Sequence, residues 1–179
     1  MLATGSPAAA APYAWDDIAL GATFEWLADA LDLRDTEGAL RSMHAQRAGR
    51  PDLGRRGYGC VRREDPFADL SCVSHDQKAG DVPTREIRLH FLEGVLQQFS
   101  ITAELSQREA LLRELKQRYG TPSAEAPGKE SGATHQWRNG ESRIDFYAGR
   151  DLVFVSFEAA AYREAVKRKA SGAAKRQSR

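Results

Sequence analysis

Residues Arg85 to Ala103 read REIRLHFLEGVLQQFSITA, and the alternation within them decides the fold. Ile87, Leu89 and Phe91 fall on one side of an extended chain, and Glu86, Arg88 and His90 on the other. A period of two marks a half-buried strand. Glu93-Gly94 is a two-residue hairpin turn, since glycine supplies the positive φ that such turns need. Val95 to Ala103 then returns antiparallel, with Val95, Phe99 and Ile101 expected on the buried face.

Working outward, the next segment predicts a helix over Gln107–Tyr119. Ser106 and Glu109 match the S-x-x-E capping box, Leu111, Leu112, Leu115 and Tyr119 form an apolar stripe, and Gly120 and Pro122 stop it. Upstream, Tyr58–Arg62 and Leu70–Ser74 read as strands around the turn-rich Glu64-Asp65-Pro66. Thr23 is the expected N-cap of a helix over 24–33. A further helical stretch is expected over Thr36–Ala48, followed by a loop over 49–57. Downstream, Pro122–Gly132 reads as a polar loop. Thr134–Arg138 and Glu141–Tyr147 flank Asn139-Gly140, a strong hairpin signal. Asp151–Phe157 is a third strand of that group, Glu158–Ala170 a helix, and the final SGAAKRQSR disordered. The resulting expectation is an α+β protein with an antiparallel sheet packed on helices in two layers, in the order helix, four strands, helix, three strands, helix.

The 179 residues suit one domain with tails. With 41% hydrophobic and 28% charged residues, and no apolar run near the roughly 20 residues that span a bilayer, the composition is that of a globular chain. Met1–Ala14 reads MLATGSPAAAAPYA, without the basic start or leucine-rich centre of a secretory signal. Its PAAAAPYA portion before Trp15 is nevertheless like the end of one. Two readings stand: the remnant of an export signal, or an Ala/Pro-rich leader without structure. Residues 1–15 are assigned to this leader, 16–162 to the domain, and 163–179 to a basic helix end and tail.

The formal net charge is +1. From Arg163 to Arg179 seven Lys or Arg stand against one Glu, a net +6, so the remainder carries −5. Lys167, Arg168, Lys169, Lys175 and Arg176 make this end a candidate anion-binding arm; the competing reading is a solvated, frayed terminus.

Cys60 and Cys72 lie on successive predicted strands about one hairpin apart. Paired positions on antiparallel strands bring Cα atoms within disulfide range. In an oxidising compartment a bond is expected, worth about 3 kcal/mol by the chain-entropy relation; two buried free thiols are the alternative. His44, His75, His90 and His135 are scattered, without a structural zinc spacing. No G-x-S-x-G or S-x-x-K occurs, and the acidic pairs Asp16-Asp17 and Glu64-Asp65 read as solvated turns. Gly57-Tyr58-Gly59 lacks the strand-then-helix context of a nucleotide loop. No catalytic residue, metal or cofactor is therefore assigned. Trp137, Phe146, Tyr147, Phe154 and Phe157 lie in strands beside Arg138, Arg143 and Arg150. That mixture stacks single-stranded bases when exposed, yet aromatics in strands are ordinarily core.

Five motifs together resemble a known group. They are Ile18-Ala19-Leu20-Gly21 followed by a short helix through Trp26-Leu27, and the strand cysteines Cys60 and Cys72. The others are the strand–turn–strand unit Arg88–Leu96, the box Tyr119-Gly120-Thr121-Pro122, and the hairpin Trp137-Arg138-Asn139-Gly140. The chain is similar, over Ile18–Phe157, to uncharacterised periplasmic proteins of proteobacteria. More distantly it resembles the helix-plus-sheet modules of the BamE lipoprotein and the β-lactamase-inhibitor-protein group, although no lipobox cysteine stands near Met1. The resemblance implies binding or assembly rather than catalysis. The expected function is a non-enzymatic, periplasmic or secreted envelope protein that binds another protein or an envelope component. The alternative is a cytoplasmic accessory protein that touches nucleic acid through its basic end.

Overall fold

The computed structural model describes residues 11–30, 58–63, 65–128 and 132–177. The helix expected over 36–48 and the loop over 49–57 lie outside these residues. The chain begins with two short strands, β1 (Ala14–Trp15) and β2 (Ile18–Ala19), and a seven-residue helix α1 (Phe24–Ala30). Six strands follow: β3 (Tyr58–Arg62), β4 (Leu70–His75), β5 (Lys78–Ala79), β6 (Val82–Pro83), β7 (Glu86–Leu92) and β8 (Val95–Glu104). A 3₁₀ turn (Leu105–Gln107) leads into α2 (Arg108–Tyr119). Then come β9 (Ala124–Gly128), β10 (Gly132–Arg138), β11 (Ser142–Ala148), β12 (Leu152–Ala159) and α3 (Tyr162–Gln177).

Eight strands form one antiparallel sheet in the order β3-β4-β7-β8-β12-β11-β10-β9. The two-layer α+β expectation is overturned: the protein is largely β, with 48% strand against 25% helix. Among the described residues the buried face is covered by α2 and by an irregular arm made of β1, β2 and α1. The reason lies in segments without alternation. Pro122–Gly132, expected as loop, holds β9, which pairs with β10. Its Pro127 cannot donate to a ladder, and such residues survive on edge strands.

The registers align the core in rows across the sheet. One row runs Cys60, Cys72, Leu89, Phe99, Phe157, Ile144, Trp137, each directly opposite the next. All seven are buried. Phe99 and Phe157 stack at 4.2 Å between ring centroids. On this face Leu111, Leu112 and Leu115 of α2 close the core together with Trp15, Ile18, Leu20 and Leu27 of the arm.

Glu93 and Gly94 both take positive φ (55° and 79°), as a type I′ turn requires. A bulge between His90 and Phe91 and the facing strand then shifts the phase. Leu96 pairs with Phe91 and faces the core, while Val95 pairs with Leu92 on the other side. The uninterrupted alternation expected from Val95 is thereby corrected.

Three local expectations also change. Ser106 lies inside the 3₁₀ turn; Gln107 precedes α2 and makes no side-chain capping bond, so the capping box is not formed. The β10–β11 ladder places Gly140-Glu141 at the centre of the hairpin, one residue later than Asn139-Gly140. Gly140 has φ 76° at the first central position, the type II′ pattern. Helix α3 continues through Gln177, so residues 171–177 are helical.

Other expectations hold. Thr23 Oγ1 accepts the Trp26 N–H at 3.2 Å, the N-cap bond of α1. Gly120 ends α2 with φ 77°, its N–H donating to Lys116 O. The Trp137 indole N–H donates to Gly120 O at 2.9 Å, which joins the Tyr-Gly-x-Pro box to the Trp-x-Asn-Gly hairpin. Trp15, at the end of the stretch assigned to the leader, is 1% exposed. The Tyr119 hydroxyl donates to Ala14 O, and the Arg118 guanidinium lies 4.5 Å over the Trp15 ring.

Candidate open-face binding site

The second face of the sheet has a different composition, dictated by the same alternation. One row across it reads Arg138, Arg143, Glu158, Gln98, His90, Ser71; the next reads Gln136, Asp145, Ser156, Ser100, Arg88. A third joins Tyr147, Phe154, Thr102 and Glu86. Near Leu92 this face is covered by α3. Leu92, Tyr162 and Ala165 form a small separate cluster there. Burial and the nearby Glu158 carboxylate push the Tyr162 phenol up to about 12, and its hydroxyl donates to Phe67 O at 3.0 Å.

At the β10–β12 end lies a cleft of about 280 Å³, lined by Arg138, Arg143, Arg163, Glu158 and the hairpin residues Gly140 and Ser142. Glu158 sits between two guanidiniums: Arg143 Nη2 donates to Oε2 at 3.1 Å and Arg163 Nε to Oε1 at 3.1 Å. Arg143 Nε also lies 3.1 Å from Asp145 Oδ2. The other Asp145 oxygen, Oδ1, is buried without a hydrogen-bond partner among the described residues. Arg138 donates to the neutral Gln136 Oε1 at 3.1 Å and meets no carboxylate among the described residues. It stands directly opposite Arg143 in the ladder, an arrangement that disfavours the empty sheet because like charges face each other. Three guanidiniums against Glu158 and Asp145 leave one positive charge in surplus.

Four residues along the same strands, Tyr147 and Phe154 are register partners whose rings lie 6.3 Å apart. They are 44% and 38% exposed. Burial, then the Asp145 carboxylate, raises the Tyr147 phenol above its ordinary value, so it stays protonated at neutral pH. The other aromatics grouped with them in the sequence, Trp137, Phe146 and Phe157, are core residues.

The basic end splits into matched pairs. Lys167 donates to Glu164 Oε1 at 2.8 Å, Arg168 to both Glu93 oxygens at 2.9 and 3.2 Å, and Lys169 to Ala68 O at 2.8 Å. Lys169 also pairs with Asp69 at 2.8 Å. Lys175 and Arg176 lie on the last turns of α3. Arg168 thereby fastens α3 to the β7–β8 turn and Lys169 fastens it to the segment before β4, while the Lys167 pair lies within the helix. Cys60 and Cys72 form a disulfide, the bond expected of an oxidising compartment. Among the described residues no three potential metal ligands converge, and no helix is long and apolar enough to cross a membrane.

Sequence reasoning missed Arg163 and Glu158 as members of the cleft. Arg163 belongs by sequence to the basic end and Glu158 to a helix start, while the register sets Glu158 opposite Arg143 and the first turn of α3 brings Arg163 to Glu158. The visible signal was an Arg on each side of a hairpin turn at opposed positions.

Neither a family model nor a curated protein matches the chain. A solved structure with some likeness is that of a GTP-binding regulator from Thermotoga maritima, at 12% identity and a TM-score of 0.38, over 79% of this chain and 86% of that one. At that score neither fold nor ligand transfers.

Proposed function

We propose that this chain is a non-enzymatic binding protein of the bacterial periplasm, and that the open sheet face docks another protein. The observation that carries this reading is the exposed Tyr147–Phe154 pair beside the three-arginine cleft. Tyr and Arg are over-represented where protein surfaces meet, because each brings large contact area together with hydrogen-bonding capacity. The Cys60–Cys72 bond supports an oxidising compartment, and the periplasm is the one that fits the sequence motifs.

Photo-crosslinking tests the docking face. A photoreactive residue is placed at Tyr147, at Phe154 or, as a control on the covered side, at Glu109, and cells of the source organism are irradiated. A discrete protein adduct from 147 and 154, absent from 109 and recovered in the periplasmic fraction, is expected. Equal labelling at all three positions, or adducts with nucleic acid, overturns the proposal.

A further inference from the structure

We infer that the Arg138–Arg143–Arg163 cleft takes the carboxylate of an acidic residue in an extended partner segment, with an aromatic or large apolar residue four positions away resting on Tyr147 and Phe154. This rests on the docking reading above and supplies the chemistry of the partner.

Charge defines the first element. The cleft carries a surplus of one positive charge, and among the described residues Arg138 has only a neutral partner. A planar carboxylate accepts two parallel N–H bonds from one guanidinium fork, the strong form of this contact. A single carboxylate also matches the surplus. A phosphate monoester brings about −1.5 to −2 charge and sets it against Glu158, which already occupies the space between Arg143 and Arg163. Inserting one negative charge further relieves the Arg138–Arg143 opposition across the ladder.

Spacing defines the second element. Arg143 and Tyr147 are four residues apart on one face of β11, and Glu158 and Phe154 are four apart on β12. At about 3.3 Å rise per residue the two subsites are separated by about 13 Å. An extended segment running along these strands has the same repeat, so its residues j and j+4 point to the same side and reach both subsites. Small and shielded side chains lie between: Ser156 is 8% exposed and Asp145 4%.

A random 12-residue peptide library displayed on phage, panned on the immobilised full chain, tests this. Recovered peptides are expected to carry Asp or Glu four positions from an aromatic or large apolar residue. Their affinity, read by fluorescence anisotropy, is expected to fall at least tenfold in the Arg138→Gln/Arg163→Gln variant. Both side chains are exposed, so an unchanged melting temperature shows that the fold survives. Recovery of no peptides, of peptides without an acidic residue, or of peptides that bind the variant equally well overturns the inference. So does a 12-nucleotide DNA or inorganic phosphate that binds these arginines in place of peptide. If crosslinks from Tyr147 persist unchanged in the same variant, the acidic-segment inference fails while the docking reading stands.

Discussion

Cys60 and Cys72 are opposed in register with Cα atoms 4.0 Å apart, and their bond is the outermost step of the buried row that ends at Trp137. Among the described residues β3 pairs with β4 alone. The disulfide therefore ties an edge strand to the core and restricts the unfolded chain across a separation of 12 residues. Replacing both cysteines by alanine is expected to cost about 3 kcal/mol. Urea unfolding measures this. Amides of β3 are expected to exchange with solvent faster than those of β7 and β8. A loss below about 1 kcal/mol, or uniform exchange, contradicts this role for the bond.

Acid is expected to destabilise the fold in two steps. Burial, reinforced by the neighbouring Arg88 guanidinium, holds His90 below its ordinary value, so it prefers to be neutral in the folded chain. The unfolded chain binds the proton first. Stability is present above the ordinary histidine value near 6.5 and declines as pH falls through the lower folded one. Desolvation pushes Asp69 up, but the Lys169 ammonium and the Glu93 N–H outweigh it, and the net shift is downward. Its contribution is present above about pH 4 and declines below that. Melting temperatures measured against pH are expected to lose the first step in His90→Gln and to show a smaller second step in Asp69→Asn, where Asp65, whose desolvation is likewise outweighed by the Phe67 and Ala68 N–H groups and by Arg63, still contributes. A histidine variant that retains the decline just below pH 6.5 rules out His90 as its source.

The strands with clean alternation, above all Glu86–Leu92, were legible because one face is apolar and the other solvated. Segments stabilised by non-local pairing were not. Nothing in Ala124–Gly128 distinguishes β9 from a loop until β10 lies beside it. The bulge in the β7–β8 ladder is likewise silent in sequence, since Leu96 and Val95 are both apolar and only register assigns them to faces. Among the described residues α1 and α2 start almost where expected, but α3 spans Tyr162–Gln177 rather than Glu158–Ala170 because Glu158 and Ala159 extend β12, and the weight of the helices in the fold was not legible. An apolar stripe reveals that α2 packs on something; it does not reveal that an irregular arm carrying Trp15 shares the buried face with it. The cleft was half legible, through Arg138 and Arg143. Its other half depends on β12 lying against β11.

The contacts of α3 separate exposed charge from buried packing. Arg168 and Glu93 are 59% and 52% exposed in their side chains, and such pairs contribute up to about 1 kcal/mol. Leu92 is fully buried under Tyr162 and Ala165. Arg168→Ala is expected to change stability by less than about 1 kcal/mol, and to lose that effect in high salt. Leu92→Ala is expected to cost about 2–5 kcal/mol through lost burial and the cavity left behind. Chemical denaturation of the two variants checks the order; a larger loss in Arg168→Ala contradicts it.

Asn139 joins the rim of the cleft to the N-terminal arm. Its Oδ1 accepts the N–H groups of Glu141 and Ser142 at 3.2 and 2.9 Å and the Ser142 hydroxyl at 3.1 Å. Its Nδ2 donates to Ala11 O at 2.8 Å, and Ser142 Oγ in turn accepts the Tyr13 N–H at 2.8 Å. One side chain thus shapes the Gly140-Glu141 turn and fastens the arm that carries Trp15. At about 1 kcal/mol net for each of the two part-buried bonds lost, those to the Ser142 N–H and hydroxyl, with the two exposed ones adding little, Asn139→Ala is expected to cost about 2 kcal/mol. Asn139→Asp retains the acceptor for the turn and removes the donor to Ala11. It is expected to cost less, and to speed exchange of the Tyr13 amide while leaving that of Ser142 protected. Hydrogen exchange followed residue by residue distinguishes the two. Because Gly140 and Ser142 line the cleft, both variants are also expected to weaken binding of the acidic peptides, the alanine variant through loosening of the turn and the aspartate variant through the negative charge it adds at the rim. A Tyr13 amide whose exchange is unchanged in both variants would show that the turn and the arm are held independently.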